Sequence, residues 1–409
     1  MIGFVHLVRV ALAGAAWGLV ACTTQQVIKA NPTPVRKPAL PVAANERLDI
    51  GVMVLDPGLP GGPGKAEKDG VYPEIRNAEG RYIAFAVRQA LEDSGYWGAA
   101  RVIPEATDAV DVTITGRIIQ SDGVDRVVAV KARDATGRLW LEQRYIRTAS
   151  RYTYTDASLL NADPFQDLYN AIANDLATVR ESLTSKQLET IRMTANLRFA
   201  KVLAPYAFAG YLADDKDGTY ELQRVPAEND PMMARVAAVR ERERGLLGVL
   251  DGEYGRFVRD MKVSYKAWQG SRYEEMRAAS RLERSARKDL VLGTVAAAGG
   301  LAGAAQSGHA LGTAVGAASV VAGVAVLQRG AKKYREAEIH REALAELGDS
   351  FSKEVAPRVV EVEGRVMTLT GSAQAQFREW RRLLKAIYRS ETGFSPDAAS
   401  EGANGGDVP

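Results

Sequence analysis

Residues 57–65, PGLPGGPGK, follow an alternating apolar segment and carry glycines and a lysine, the residue types that cradle phosphates. A phosphate loop needs Gly, four residues, Gly-Lys and then Ser or Thr. Here Leu59 stands where the first glycine belongs and Ala66 where the magnesium ligand belongs, so the spacing predicts an ordinary surface loop. Asp214 to Gly218, DDKDG, has the acidic content of a calcium loop. Aligned on Gly218, that loop would begin at Ala213 and end at Arg224, where a bidentate Glu is required. His6, His309 and His340 lie far apart, without cysteine partners or metal-ligand spacing. No nucleophile–base pair is visible. We therefore expect no metal, no cofactor and no enzymatic activity.

The single cysteine is different. Cys22 closes VALAGAAWGLVAC, an apolar run behind Arg9 that ends in small residues. A short apolar segment after a basic residue is a secretory signal, too short for a stable membrane span. Leu19-Val20-Ala21-Cys22 resembles the bacterial lipobox, which implies cleavage before Cys22 and lipidation of its thiol. Several acyl chains, each worth about 0.8 kcal/mol per buried CH₂, would then anchor the mature protein. Thr23, in place of Asp, implies sorting to the outer membrane, with the protein facing the periplasm.

A third feature is the stretch from Leu290 to Leu327, which has no Asp, Glu, Lys or Arg in a chain that is 25% charged. Gly299/Gly303 and Gly308/Gly312/Gly316 have the GxxxG spacing that lets two helix backbones approach closely. As helices, residues 290–305 would reach about 24 Å and 308–327 about 30 Å, the latter enough to cross a hydrocarbon core. Insertion in the bilayer and a tightly packed soluble hairpin both remain open. The net charge of +3 gives no case for nucleic acid as a partner.

The elements around these residues define an α+β protein. Residues 1–21 form the signal peptide, and Cys22 with a proline-rich tether fills 22–46. Residues 47–160 form a small β-α-β-β-β domain, and we expect its residues 47–147 to fold on their own. Its strands are carried by Leu48, Ile50, Val52 and Val54, by Val110, Val112, Ile114 and Ile118, and by Val128 and Val130. A short strand at Arg101–Ile103 is also expected. A helix over 81–93 ends at Gly95, and a hairpin turns over Asp134 to Gly137. A helical connector over 163–229 starts with Asp163 as N-cap and Pro164 at N1, and Thr184 to Gln187 forms a capping box. Residues 230–356, opened by Asp230-Pro231, read as an antiparallel helical hairpin. Its two arms carry apolar stripes, and its tip is 290–327. A short β-hairpin and an amphipathic helix fill 357–392, and 393–409 form a disordered tail.

Two resemblances follow. The segments LDIGVMVLD, VRQALEDSGYW, AVDVTITGRI and VVAVKARDATGRLWLEQRY resemble an α/β domain found in several envelope proteins. These are the curli-secretion channel lipoprotein, the N-terminal domain of TolB and the lipoprotein activators of peptidoglycan synthases. The Gly308/Gly312/Gly316 spacing resembles the glycine zippers of small outer-membrane lipoproteins. Together they imply a structural or assembly component of the cell envelope that forms a homo-oligomer, with an envelope protein as a further partner. A subunit of an oligomeric secretion or permeability complex is the alternative, and a cell-wall hydrolase a third.

Overall fold

The computed structural model describes residues 33–61, 71–155, 162–215, 217–300, 339, 341–343, 345–353, 355–362 and 365–392. Strand β1 (Ile50–Met53) lies inside the sheet and buries Ile50, Gly51 and Val52 alike, in place of the alternation expected of a half-buried strand. Helix α1 (Pro73–Ser94) follows, with proline at its first turn and Gly95 closing it in the left-handed conformation at φ 74°. It starts well before the expected residue 81, because Gly80 continues the helix. A Cβ on Gly80 would lie 2.5 Å from the Leu55 carbonyl oxygen, and the Gly80 carbonyl accepts from Leu55 N–H at 3.2 Å. The glycine permits close helix–strand contact here and breaks nothing.

Strand β2 (Ala100–Ile103) comes next. Strands β3 (Val112–Ser121), β4 (Asp125–Asp134) and β5 (Leu139–Thr148) then form an antiparallel meander. The sheet order is β2-β1-β3-β4-β5, with β1 parallel to both β2 and β3. The turn after β4 has Gly137 at φ 85°, and Asp134 accepts from the Thr136 N–H at 2.8 Å, so the expected hairpin is present.

A short helix α2 (Arg151–Thr155) precedes α3 (Gln166–Glu181) and α4 (Ser185–Leu203). Asp163 does not cap α3. Its carboxylate accepts from the Phe165 N–H at 2.7 Å and from the Tyr82 hydroxyl at 2.5 Å, and the helix begins three residues later. The Thr184–Gln187 capping box does open α4. After a small hairpin of β6 (Leu212–Asp214) and β7 (Tyr220–Leu222), α5 (Pro231–Gly300) runs for 70 residues, roughly 105 Å. Asp230 caps it by accepting from the Met232 and Met233 N–H groups. The hairpin β8 (Arg358–Val362) and β9 (Arg365–Leu369) and a final helix α6 (Ala373–Thr392) complete the fold.

The core does not respect the expected divisions at 160 and 230. From Pro34 onward the chain is one compact unit. A single cluster of buried apolar residues runs from Val42 through the sheet, α1, α3, α4 and the first turns of α5 to Tyr388 on α6. The second half of the expected tether belongs to it as well. Arg36 holds Glu181 and Thr178 on α3 at 2.7 Å each, and Val42 is buried. The first arm of the expected helical hairpin is therefore, over its first turns, part of the body.

Candidate functional site

In open α/β sheets, ligands bind outside the carboxyl ends of the strands, where the chain leaves one strand in opposite directions. Here that point lies between β1 and β3, since β1 feeds α1 and β2 on one side and has β3 on the other. The loop after β1 folds back over β3. Asp56 pairs with Arg117 at 3.6 Å, and Gly58 sits at φ 62° so close to β3 that a Cβ would lie 1.8 Å from the Ile118 carbonyl oxygen. Its glycine serves packing against β3. Residues 62–70 of that loop lie outside the described residues.

The crevice itself holds a buried polar cluster. Arg126, from the start of β4, is fully buried. It donates to the Tyr169 hydroxyl of α3 at 2.5 Å and to the Tyr265 hydroxyl of α5, and lies 3.4 Å from Glu79 of α1. Glu79 Oε1 also accepts from Tyr265 at 2.7 Å and from Ser121, the last residue of β3, at 2.6 Å. The guanidinium rests 4.0 Å from the centre of the Phe165 ring. Burial opposes the charge on Arg126, and the tyrosine oxygens and Glu79 outweigh it, so the group is more basic than usual. Burial, foremost, raises the hydroxyl pKa of Tyr265 and of Tyr169 well above the ordinary value. Both stay protonated: Tyr265 donates to Glu79, and Tyr169 accepts from Arg126, with no tendency to serve as nucleophiles.

This cluster ties the sheet to the long helix, and three further contacts do the same. Arg240 pairs with Asp111 at 3.1 Å, both buried. Asp251 accepts the Val102 N–H at 2.8 Å and holds Arg88 at 3.0 Å, which closes the outer edge of β2. Gly123, in the β3–β4 turn at φ 85°, touches the backbone of α5, where a Cβ would lie 2.9 Å from Gln269 O and Tyr273 N. From Arg240 to Tyr273 the helix is therefore gripped along about 50 Å.

The returning arm packs beside it. Phe351 lies 5.2 Å from Tyr254 and 4.9 Å from Phe257, ring centre to ring centre. The guanidinium of Arg81 sits over both Phe257 and Phe351, and Arg341 pairs with Glu74 at 2.6 Å. The base of the expected helical hairpin is thus antiparallel and clamped to α1. Of the residues singled out in the sequence, Gly299 lies at the end of α5. Cys22, Gly303, Gly308, Gly312 and Gly316 lie outside the described residues, as do His6, His309 and His340. No helix among the described residues is long and apolar enough to cross a membrane, and no group of His, Cys, Asp and Glu among them could hold a metal ion.

The buried cluster escaped the sequence reading. Its one visible signal is charge in apolar register: Arg126 opens the buried series Val128, Val130 and Ala132, and Glu79 shares a helix face with Ile75 and Ile83. No protein-family model matches the chain, and no curated protein matches it.

Proposed function

We propose that this protein is a lipid-anchored, non-enzymatic component of the outer membrane that faces the periplasm and self-associates through a glycine-rich helical hairpin. The observation that carries this reading is the register of the two arms. Tyr254 meets Phe351, and the Tyr72 ring lies under both Arg272 and Arg341. Residue numbers rise along α5 as they fall along the return arm. Both pairings are centred between Ala302 and Ser307, which supports a hairpin whose turn falls within the uncharged stretch. Glycines spaced by four at such an end suit close helix–helix contact. The buried cluster around Arg126 ties the sheet to α1, α3 and α5, which supports a scaffolding role over catalysis.

The anchor rests on the lipobox resemblance of Leu19 to Cys22. The body takes hold of the chain at Pro34, whose carbonyl accepts from Asn174 at 3.1 Å. A fully extended segment from Cys22 to Pro34 spans about 40 Å, so the body would stay close to the bilayer. The likeness of residues 47–147 to envelope lipoprotein domains agrees with this setting.

The test is the intact mass of the full chain in mild detergent, compared with a deletion of residues 290–327. We expect an oligomer that falls to a monomer in the deletion. A monomeric full-length protein rejects self-association. Separately, Cys22→Ser should leave an unprocessed precursor, and normal processing of that variant rejects the anchor.

A further inference from the structure

Most arginines on the body are paired. Arg180 meets Glu46, Arg198 meets Asp108, Arg244 meets Asp49, and Arg358 meets Glu253. One stripe of α5 departs from this. Arg259, Lys262, Lys266 and Gln269 are separated by three, four and three residues, so they share one helix face over about 15 Å. All four line a cleft of about 350 Å³ between α5, α1 and the segment before α3. Among the described residues, none of the three cations forms an ion pair. Lys266 donates only to the Ala162 carbonyl, at 3.2 Å. Gln269 is 3% exposed, and its side-chain N–H₂ finds no acceptor.

Four donors thus point the same demand at one cleft, and the protein supplies few acceptors. Two carboxylates line it too. Asp163 already accepts from Tyr82 and Phe165, and Asp93 sits at the exposed rim. A buried donor without a partner costs stability, as do like charges one helical turn apart, so such an arrangement persists best where a ligand resolves it. The ammonium of Lys266 is weakened first by burial and next by the charge of Lys262. An anion between them would reverse the second effect.

We propose that this cleft binds a phosphate group, held by Lys262 and Lys266 as point charges and steered by Arg259 and Gln269. Its volume suits a small organic phosphate or one lipid headgroup. The proposal is independent of the anchor and of self-association.

Calorimetric titration of the full chain, in mild detergent at low salt, tests it with two soluble probes. Inorganic pyrophosphate stands for a free phosphate. Dihexanoyl phosphatidylglycerol, below its micellar concentration, stands for a headgroup. Saturable binding of the first assigns a free anion, and saturable binding of the second assigns a lipid. In either case the Lys262→Gln/Lys266→Gln double variant should bind at least about tenfold more weakly, the loss of charge-assisted contacts. Lys201→Gln, whose lysine pairs with Asp214 elsewhere, should bind normally. Both lysine-to-glutamine changes fall at solvent-accessible positions, and unaltered circular dichroism confirms the fold. If neither probe saturates, or if binding is unchanged in the double variant, the proposal is overturned.

Discussion

Tyr265 donates its hydroxyl to Glu79 Oε1 at 2.7 Å, across 186 positions of the chain. That bond and the one from Arg126 join α5 to the crevice of the sheet, and both acceptor and donor are buried. Tyr265→Phe leaves the fold a bonding group short on each side, at a cost of about 1–3 kcal/mol. Glu79→Ala is more severe, since it strands the Arg126 charge without its carboxylate, at about 3–5 kcal/mol. Urea denaturation measures both. A double-mutant cycle should show clear non-additivity, and purely additive losses would mean that the two residues do not act through one network.

Gly123 and Gly218 offer a matched comparison. Both have positive φ, but only at Gly123 would a Cβ meet backbone atoms, while at Gly218 nothing lies within 4 Å. Gly218→Ala should therefore cost only the conformational penalty of about 1 kcal/mol, and Gly123→Ala distinctly more. Equal melting temperatures for the two variants would show that the β3–β4 turn does not bear on α5.

Glu243 of α5 is 2% exposed, accepts from Thr107, and titrates above the usual carboxylate value because it is buried. A carboxyl raised in the folded state holds its proton more tightly there than in the unfolded chain. Its contribution is therefore complete at low pH and lost as pH rises from about 4 through the folded pKa. Glu243→Gln, which stays neutral, should gain stability relative to wild type across that window and no further above it. Denaturation midpoints at a series of pH values give the difference directly, and a flat difference would exclude Glu243 as a source.

An excised 47–160 fragment should not fold cooperatively, contrary to what its strand and helix pattern suggests. Without α5 the β2 edge loses Asp251, and Arg126 loses Tyr265. Near-ultraviolet circular dichroism should be weak for the fragment and strong for the full chain. A sharp, two-state melt of the fragment would restore the independent domain.

Gly312→Leu should weaken self-association about tenfold or more, with the α/β signals unaltered, if the zipper face mediates the contact. Analytical ultracentrifugation in detergent reads this. Unchanged association would move the contact to another face.

Local chemistry was the legible part of this fold. The Thr184–Gln187 capping box, the Asp230 cap, the Gly95 stop and the alternation in β3 and β4 all depend on residues within a few positions of one another, and all appear where expected. Errors arose where a distant contact decided. The helix expected over 81–93 begins at Pro73 and runs through Gly80, whose reason for being glycine is the Leu55 carbonyl, which no local pattern reveals. Asp163 looked like a cap, yet Tyr82, 81 residues earlier, takes one of its oxygens. The Arg126 cluster gathers residues from five elements, and pairwise spacing cannot announce it. For the same reason the cleft beside Lys266 surfaced only once α1 and α5 were side by side.

The docking of the N-terminal segment has a mechanical side. Arg36 grips Asn174, Thr178 and Glu181, which are spaced by four and three residues along a single face of α3. A load entering at Pro34 meets these bonds together, in shear along a helix, rather than one after another. Under tension from a tether, α3 would carry the force first, and strand β1, only sixteen residues further along at Ile50, would keep its register in the sheet.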